Sequence, residues 1–345
     1  MKILDMRSDT TTHPTPQMRR AIFEAEVGDD GHSEDPTVNR LQQMAADMLG
    51  KEAGLLTPSG SMGNLLGVMS NSSPGDEVLL GSEAHILWFE MGGATTVAGT
   101  LLRALPNDEQ GNIAVADLEA ALRQNHTHSR NISMLCLENT HNRCGGAAIS
   151  AENTSALADV AHKNNLKVHI DGARLFNAAV VQGVPANELT KSVDTVSICL
   201  SKGLGAPVGS VLCGSKETIE KARRWRKMIG GGMRQAGVIA AAGIVALETM
   251  IERLADDHKN AKRLAQGLSQ IKGVTIDLNK VKTNMLRFAV ADSALAGLLN
   301  KQLLEKGIKF GPGGNSFRVV THWMIDDADV DYILEHTASI MKELS

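Results

Sequence analysis

Short apolar runs without polar alternation recur along the chain, each followed by a longer stretch of helical character, and this rhythm limits the fold more than any other feature. Ala53–Thr57, 77–80, 96–105, Ile132–Glu138, the run opening at Lys167 and the run from Thr195 to Lys202 read as strands. Helical patterns are expected over 16–26, 36–49, from the turn after Thr57 to Met69, from Glu83 through Glu90, and over Val115–Arg123, 151–164 and 236–251, with a further helix from Lys216 through Arg226. Asp35 followed by Pro36 is a cap followed by a first-turn proline. Strands apolar on both faces point to an α/β fold with a mostly parallel sheet covered by helices on both sides. In such sheets ligands gather beyond the carboxyl ends of the strands. His85, Asp171 and Lys202 each follow a predicted strand, so all three can reach one crevice.

The chain divides by the same pattern. Residues 1–13, ending at Pro14 and rich in hydroxyls, read as an arm too polar for a core, attached to a large domain over 14–254. A break at Ala255-Asp256-Asp257-His258 sets the expected boundary. Beyond it, helix 257–270, strand 284–290, helix 292–306, strand 316–321 and helix 327–343 form a small α/β domain over 255–345. With 345 residues, 43% of them hydrophobic, the chain can bury such a pair of cores. A formal charge of -4, with basic residues dispersed, gives no footprint for nucleic acid. No run is apolar for long enough to cross a bilayer and no signal peptide precedes Asp5, so the cytoplasm is the expected compartment. Cys136, Cys144, Cys199 and Cys213 lack CxxC spacing, which argues against a zinc site or disulfide framework, and no metal is expected.

Three features carry chemistry. A lysine closing an apolar strand and followed by Gly203 and Gly205 is costly to hold charged, and a depressed pKa would leave a neutral amine able to add to a carbonyl. The ordinary alternative for Lys202 is a strand-end side chain that snorkels into water. Asp171, in His169-Ile170-Asp171-Gly172-Ala173-Arg174, is either a functional carboxylate or a turn former. Strand, Pro58-Ser59-Gly60-Ser61-Met62-Gly63-Asn64, then helix is an arrangement that cradles phosphate on free N–H groups, although such a turn is often only a turn. Amine, carboxylate and phosphate cradle in one α/β chain match the needs of pyridoxal 5'-phosphate.

Taken together, Arg7-Ser8-Asp9-Thr10, Glu34-Asp35-Pro36-Thr37-Val38-Asn39, Glu138-Asn139-Thr140-His141-Asn142, the Asp171 segment, Leu200-Ser201-Lys202-Gly203-Leu204 and Gly230-Gly231-Gly232-Met233-Arg234-Gln235 resemble the low-specificity L-threonine aldolases over nearly the whole chain. The resemblance implies pyridoxal-phosphate fold type I and retro-aldol cleavage of L-threonine or L-allo-threonine to glycine and acetaldehyde. It implies that Lys202 forms the Schiff base, Asp171 pairs with the pyridine nitrogen and His85 stacks on the ring. Ser59, Gly60, Ser61 and Arg234 would hold the phosphate, with Arg234 supplied from a neighbouring subunit of a homotetramer. Ser8, Arg174 and Arg318 would hold the substrate carboxylate, with Arg174 also close to the cofactor, and His85 or His128 would serve the β-hydroxyl proton. Two positions depart from the family pattern: His32 replaces an expected tyrosine near the substrate, and Phe89 stands where tyrosine is common. β-Elimination, transamination, serine hydroxymethyl transfer or a non-catalytic cofactor-binding role are the alternatives on this scaffold.

Overall fold

The apolar runs become strands, most of them buried along nearly their whole length. A computed structural model describes residues 2–123 and 130–344. Twelve strands are labelled in chain order: β1 (Leu4–Asp5), β2 (Ala53–Thr57), β3 (Glu77–Gly81), β4 (Leu101–Leu105), β5 (Ile132–Glu138), β6 (Lys167–Gly172), β7 (Thr195–Cys199), β8 (Ser210–Gly214), β9 (Met285–Ala289), β10 (Ile308–Lys309), β11 (Gly311–Gly313) and β12 (Ser316–Val320). Seven of them form the central sheet in the order β2-β8-β7-β6-β5-β3-β4. All neighbours run parallel except β8, which is antiparallel to both β2 and β7.

Period-two alternation assigns each strand residue to a face. Leu79, Leu135, Leu137, Val168, Ile170, Val196 and Ile198 join the main core with Leu41 and Ala45 of helix Pro36–Met48 and with the small residues of helix Gly237–Thr249. Val78, Leu80, Met134 and Cys136 look the other way, into a core shared with Val68 of helix Gly60–Asn71. Covering both faces is what continuous apolar strands require. Glycine lets helix Gly60–Asn71 come close: a Cβ at Gly63 would stand 2.2 Å from Ser197 Oγ, and one at Gly67 would stand 2.6 Å from His169 Cε1. That approach brings the N-terminus of this helix to the end of β7.

A second core gathers Leu264, Leu286, Leu299, Ile333 and Ile340 around Phe288, Phe310 and Phe317. The Phe288 and Phe317 rings stack at 4.9 Å. The N-terminal arm is part of this core. Leu4 and Asp5 pair in parallel with Ile308 and Lys309, and Leu4 and Met6 are buried among the phenylalanines. Reading the arm as too polar for a core therefore fails at its apolar positions, where alternation in a short strand sends Leu4 and Met6 inward.

Other expectations shift for local reasons. The residues expected to break the chain at 255–258 lie within helix Leu254–Leu268; Asp256 and Asp257 occupy its first turn, where the helix dipole favours carboxylates. Asp257 is buried and paired with Arg253. The strand expected over 96–105 begins only at Leu101, because Gly93–Thr96 form one helical turn and Gly99 adopts φ +71°. Strand β8 and helix Leu175–Gln182 were not expected. No helix among the described residues is long and apolar enough to cross a membrane.

One buried ion pair ties the arm to the central sheet. Arg174 Nε donates to Asp9 Oδ2 at 2.7 Å and Nη2 donates to Oδ1 at 2.6 Å, with both side chains almost wholly removed from solvent. Burial alone would raise the Asp9 pKa; the Arg174 charge and hydrogen bonds, aided by Lys202 and Arg318, overcome it and hold the carboxyl well below its usual range. Its contribution to stability is thus complete above the unfolded carboxylate pKa of about 4 and is lost as pH falls below that value. Asp9→Ala should lower the unfolding free energy by about 3–5 kcal/mol, since it strands a buried guanidinium. Urea denaturation at neutral pH measures this, and adding Arg174→Met should recover part of the loss.

Candidate active site

The register of the parallel strands brings carboxylates together. Glu138 at the end of β5 lies opposite Asp171 of β6, and Asp171 lies opposite Ser197 of β7. Both acidic side chains are buried and face helix Gly60–Asn71, on the side away from Leu137 and Ile170. Asp171 Oδ1 accepts from the Ala173 N–H at 3.1 Å, while Oδ2 lies 3.8 Å from His85 Nδ1. Glu138 Oε2 accepts from the His85 N–H at 2.7 Å and Oε1 from the Asn142 N–H at 2.7 Å. The His85–Trp88 helix is a single turn, so the chain comes back and Glu90 meets its own first residue: Glu90 Oε1 accepts from Asn64 Nδ2 at 2.7 Å and lies 2.9 Å from His85 Nδ1.

These charges act on one another. Burial, followed by repulsion from Asp171, pushes the Glu138 pKa up to about 7 against the two N–H groups it accepts. Burial also raises Glu90, with Asp171 adding to the effect. For His85, burial opposes the cation, yet Glu90, Asp171 and Glu138 outweigh it and raise the imidazole above its ordinary value. Among the described residues no lysine or arginine forms an ion pair with Asp171 or Glu138, so Asp171 is a buried carboxylate beside an imidazole with one oxygen free of strong donors.

Lys202 lies on the turn after β7, half-buried. Its carbonyl accepts from Thr12 Oγ1 at 3.0 Å and from the Gly205 N–H at 2.9 Å, while its amine has no side-chain hydrogen bond or ion pair among the described residues. The phosphate-cradle turn reaches the same strand end. Ser59 caps helix Gly60–Asn71 by accepting from the Met62 N–H at 3.2 Å, and a Cβ on Gly60 would stand 2.6 Å from Cys199 Sγ, three residues before Lys202. Ser59 and Ser61 are exposed.

The predicted carboxylate binders converge from the second core and the arm. Arg318 Nη1 donates to the Arg7 carbonyl at 2.8 Å, next to Ser8, and Nη2 donates to Asn142 Oδ1 at 3.0 Å. Arg318 Nε is buried without a partner. Burial, then the Arg174 charge, lowers the Arg318 pKa to about 10, a guanidinium short of anionic company. Ser8 Oγ is used within the arm, accepting from the Thr10 N–H at 3.3 Å. Arg174 is close by, but its Nε and Nη2 are committed to Asp9, which leaves Nη1.

Other predicted residues stand apart. Arg234 is exposed and pairs with Asp29 at 3.2 Å, while His32 is exposed on the adjoining turn Asp30–His32. Neither forms a hydrogen bond or ion pair with Lys202, Asp171 or His85. His128 lies outside the described residues. Asp9, Asn64, Glu90 and Glu138 carry no assignment from the sequence, although Glu138 had the same signal as Asp171: a carboxylate closing a buried parallel strand.

A family model described as beta-eliminating lyase matches residues 5–291. The low-specificity L-threonine aldolase 1 of Arabidopsis thaliana is 46% identical over 97% of this chain and 95% of its own length. The low specificity L-threonine aldolase of Escherichia coli K12 is 40% identical over 86% of this chain and 87% of its own. Among solved structures, Leishmania major threonine aldolase superposes with a TM-score of 0.83 at 18% identity, covering 98% of this chain and 99% of that one, which establishes the shared fold. The chain therefore belongs to the beta-eliminating lyase family, among its low-specificity L-threonine aldolases.

Proposed function

We propose that the protein cleaves L-threonine, L-allo-threonine and related β-hydroxy-α-amino acids to glycine and an aldehyde, acetaldehyde from threonine itself, with pyridoxal 5'-phosphate as cofactor. The observation that carries this reading is two groups, on and just after adjacent strands, that lack a matching partner: the buried Asp171 carboxylate, which forms no ion pair with a lysine or arginine among the described residues and has only the His85 imidazole 3.8 Å away, and the Lys202 amine, which has no side-chain partner among them. A cationic ring nitrogen answers the first and an aldehyde the second, so the residues present fit the cofactor. Bound there, pyridoxal phosphate supplies a carbonyl carbon for amines and a protonated ring that takes up the electron pair released at Cα.

Each side chain then has a task. Asp171 keeps the proton on the ring nitrogen, since losing it would leave the buried carboxylate uncompensated. Gly60 and Ser61 offer N–H groups to the phosphate at a helix N-terminus, with Ser59 shaping that turn and Arg234 adding charge. Ser8, Arg318 and the remaining Arg174 nitrogen hold the substrate carboxylate, and Arg318, buried yet short of an anion, gains most from it. His85 would pack against the ring and, with His128, is a candidate acceptor for the β-hydroxyl proton. Exposure of Arg234 and His32, and separately of the apolar Trp88, Phe89 and Met91, supports a homotetramer built of dimers in which these residues meet a partner. Four free cysteines accord with a reducing cytoplasm.

Purified protein should show an absorbance band from bound cofactor, and threonine alone should yield equal amounts of glycine and acetaldehyde without keto acid or folate; ammonia and a keto acid instead would indicate elimination. Lys202→Ala should abolish the band and reduce cleavage by at least about 10³-fold. Arg318→Ala should cost about 2 kcal/mol, roughly thirtyfold in kcat/KM for threonine, and Arg318→Lys should restore little of it because the two-pronged contact is lost.

A further inference from the structure

A line of buried hydrogen bonds runs from the sheet into His85, and its direction is dictated by chemistry. Thr195 Oγ1 lies 3.0 Å from His169 Nδ1, and His169 Nε2 lies 3.1 Å from Asn64 Oδ1. Asn64 Nδ2 donates to Glu90 Oε1, which also meets His85 Nδ1. A carboxylate only accepts, so it fixes the amide of Asn64 with Nδ2 toward Glu90 and Oδ1 toward His169. His169 must then carry its proton on Nε2 and accept from Thr195 at Nδ1. Burial lowers the His169 pKa to about 4, so the ring stays neutral and the line does not reverse at working pH. Gly67 leaves the space its ring occupies.

We propose that Glu90, held by this Asn64–His169–Thr195 line, is the positioning residue of the site: it keeps the His85 proton on Nδ1 and leaves Nε2 as the proton acceptor for the substrate β-hydroxyl. The proposal rests on the threonine-cleavage reading for the step it serves, but the state of the His85 ring is a property of the protein alone. Glu90 does not act alone on that ring. Asp171 faces it from β6, Glu138 from β5, and Arg143 packs over the adjacent Trp88 and Phe89. Of these, only Glu90 lies within hydrogen-bond distance of the imidazole.

Two substitutions separate charge from orientation. Glu90→Gln can keep an oxygen at Nδ1 and removes the negative charge, so the His85 pKa should fall by about one unit and the acidic limb of the kcat profile should move to lower pH by the same amount. Glu90→Ala removes the acceptor, and kcat at the plateau should drop roughly ten- to a hundredfold with KM for threonine changed less than about threefold. Asn64→Ala should fall between wild type and Glu90→Ala. The His85 pKa is read directly by NMR titration of histidine-labelled protein with and without cofactor, the resonance being identified through His85→Asn. A limb and a His85 pKa that both stay in place in Glu90→Gln, or a Glu90→Ala loss confined to thermal stability, would overturn the proposal. If wild type cleaves no threonine, the functional reading fails by itself, and the NMR titration still decides whether Glu90 governs the ring.

Discussion

Carboxylates crowded at the ends of parallel strands, in a place water scarcely reaches, are the constraint around which this molecule is arranged. Register puts Glu138 beside Asp171, and the one-turn helix at His85 brings Glu90 to the same point. Like charges at such distances in a low dielectric repel one another, and the set is tolerable only with protons or cations among them. His85 provides one, through Glu90 and through proximity to Asp171. A cofactor with a protonated ring would provide another. The same electrostatics explain why the carboxylates outweigh burial at His85 and raise its pKa, whereas at His169, hydrogen-bonded to neutral Asn64 and Thr195, the charge of Asp171 does not overcome burial and the pKa falls.

A second arrangement of charge lies on the far side of the lysine turn, and its logic is opposite. There arginines dominate: Arg174 is satisfied by Asp9, whereas Arg318 has two neutral acceptors and one buried nitrogen without a partner. Asp171 lies on β6 beside the strand that leads to the half-buried Lys202, and Arg318 and Lys202 both act on the Asp9 carboxylate. On the proposed function, a substrate carboxylate would answer Arg318 and a cationic ring nitrogen would answer Asp171. Asn142 connects the two regions, since its N–H serves Glu138 and its side-chain oxygen serves Arg318.

Much of this was legible in the residues because parallel sheets convert sequence pattern into position. Continuous apolar runs located β2, β3, β5, β6 and β7, and residues at strand ends could be expected at one sheet edge; His85 does lie 3.8 Å from Asp171, and Lys202 stands on the turn after the adjacent β7. Tertiary partners were not legible. Nothing local in Arg174 shows that Asp9, 165 residues away, occupies two of its nitrogens. Glu90 was hidden because a helix was expected through it, and only the end of that helix after one turn lets it fold back on His85. Strand β8 was missed because it reverses direction in a pattern otherwise parallel, and the arm was misjudged because its hydroxyls outnumber the two apolar residues that anchor it.

The two departures from the family pattern are not equivalent once placed. His32 is exposed on the Asp30–His32 turn, whose Asp30 N–H donates to the Arg234 carbonyl, and it hydrogen-bonds none of the strand-end residues, so in one subunit its exchange for tyrosine alters only surface. Phe89 is different. Its ring lies 5.3 Å from that of His85 at a tilt of 42°, and the Arg143 guanidinium stands 5.9 Å from its centre. A phenol there would bring a hydroxyl able to compete with Glu90 for the imidazole or with Glu83 for Arg143, which are now paired with each other. With phenylalanine, the ring supports His85 by contact alone and leaves Glu90 as the sole hydrogen-bonding partner of the imidazole among the described side chains. The orientation of the imidazole thus depends on a single carboxylate because the adjacent aromatic offers no alternative.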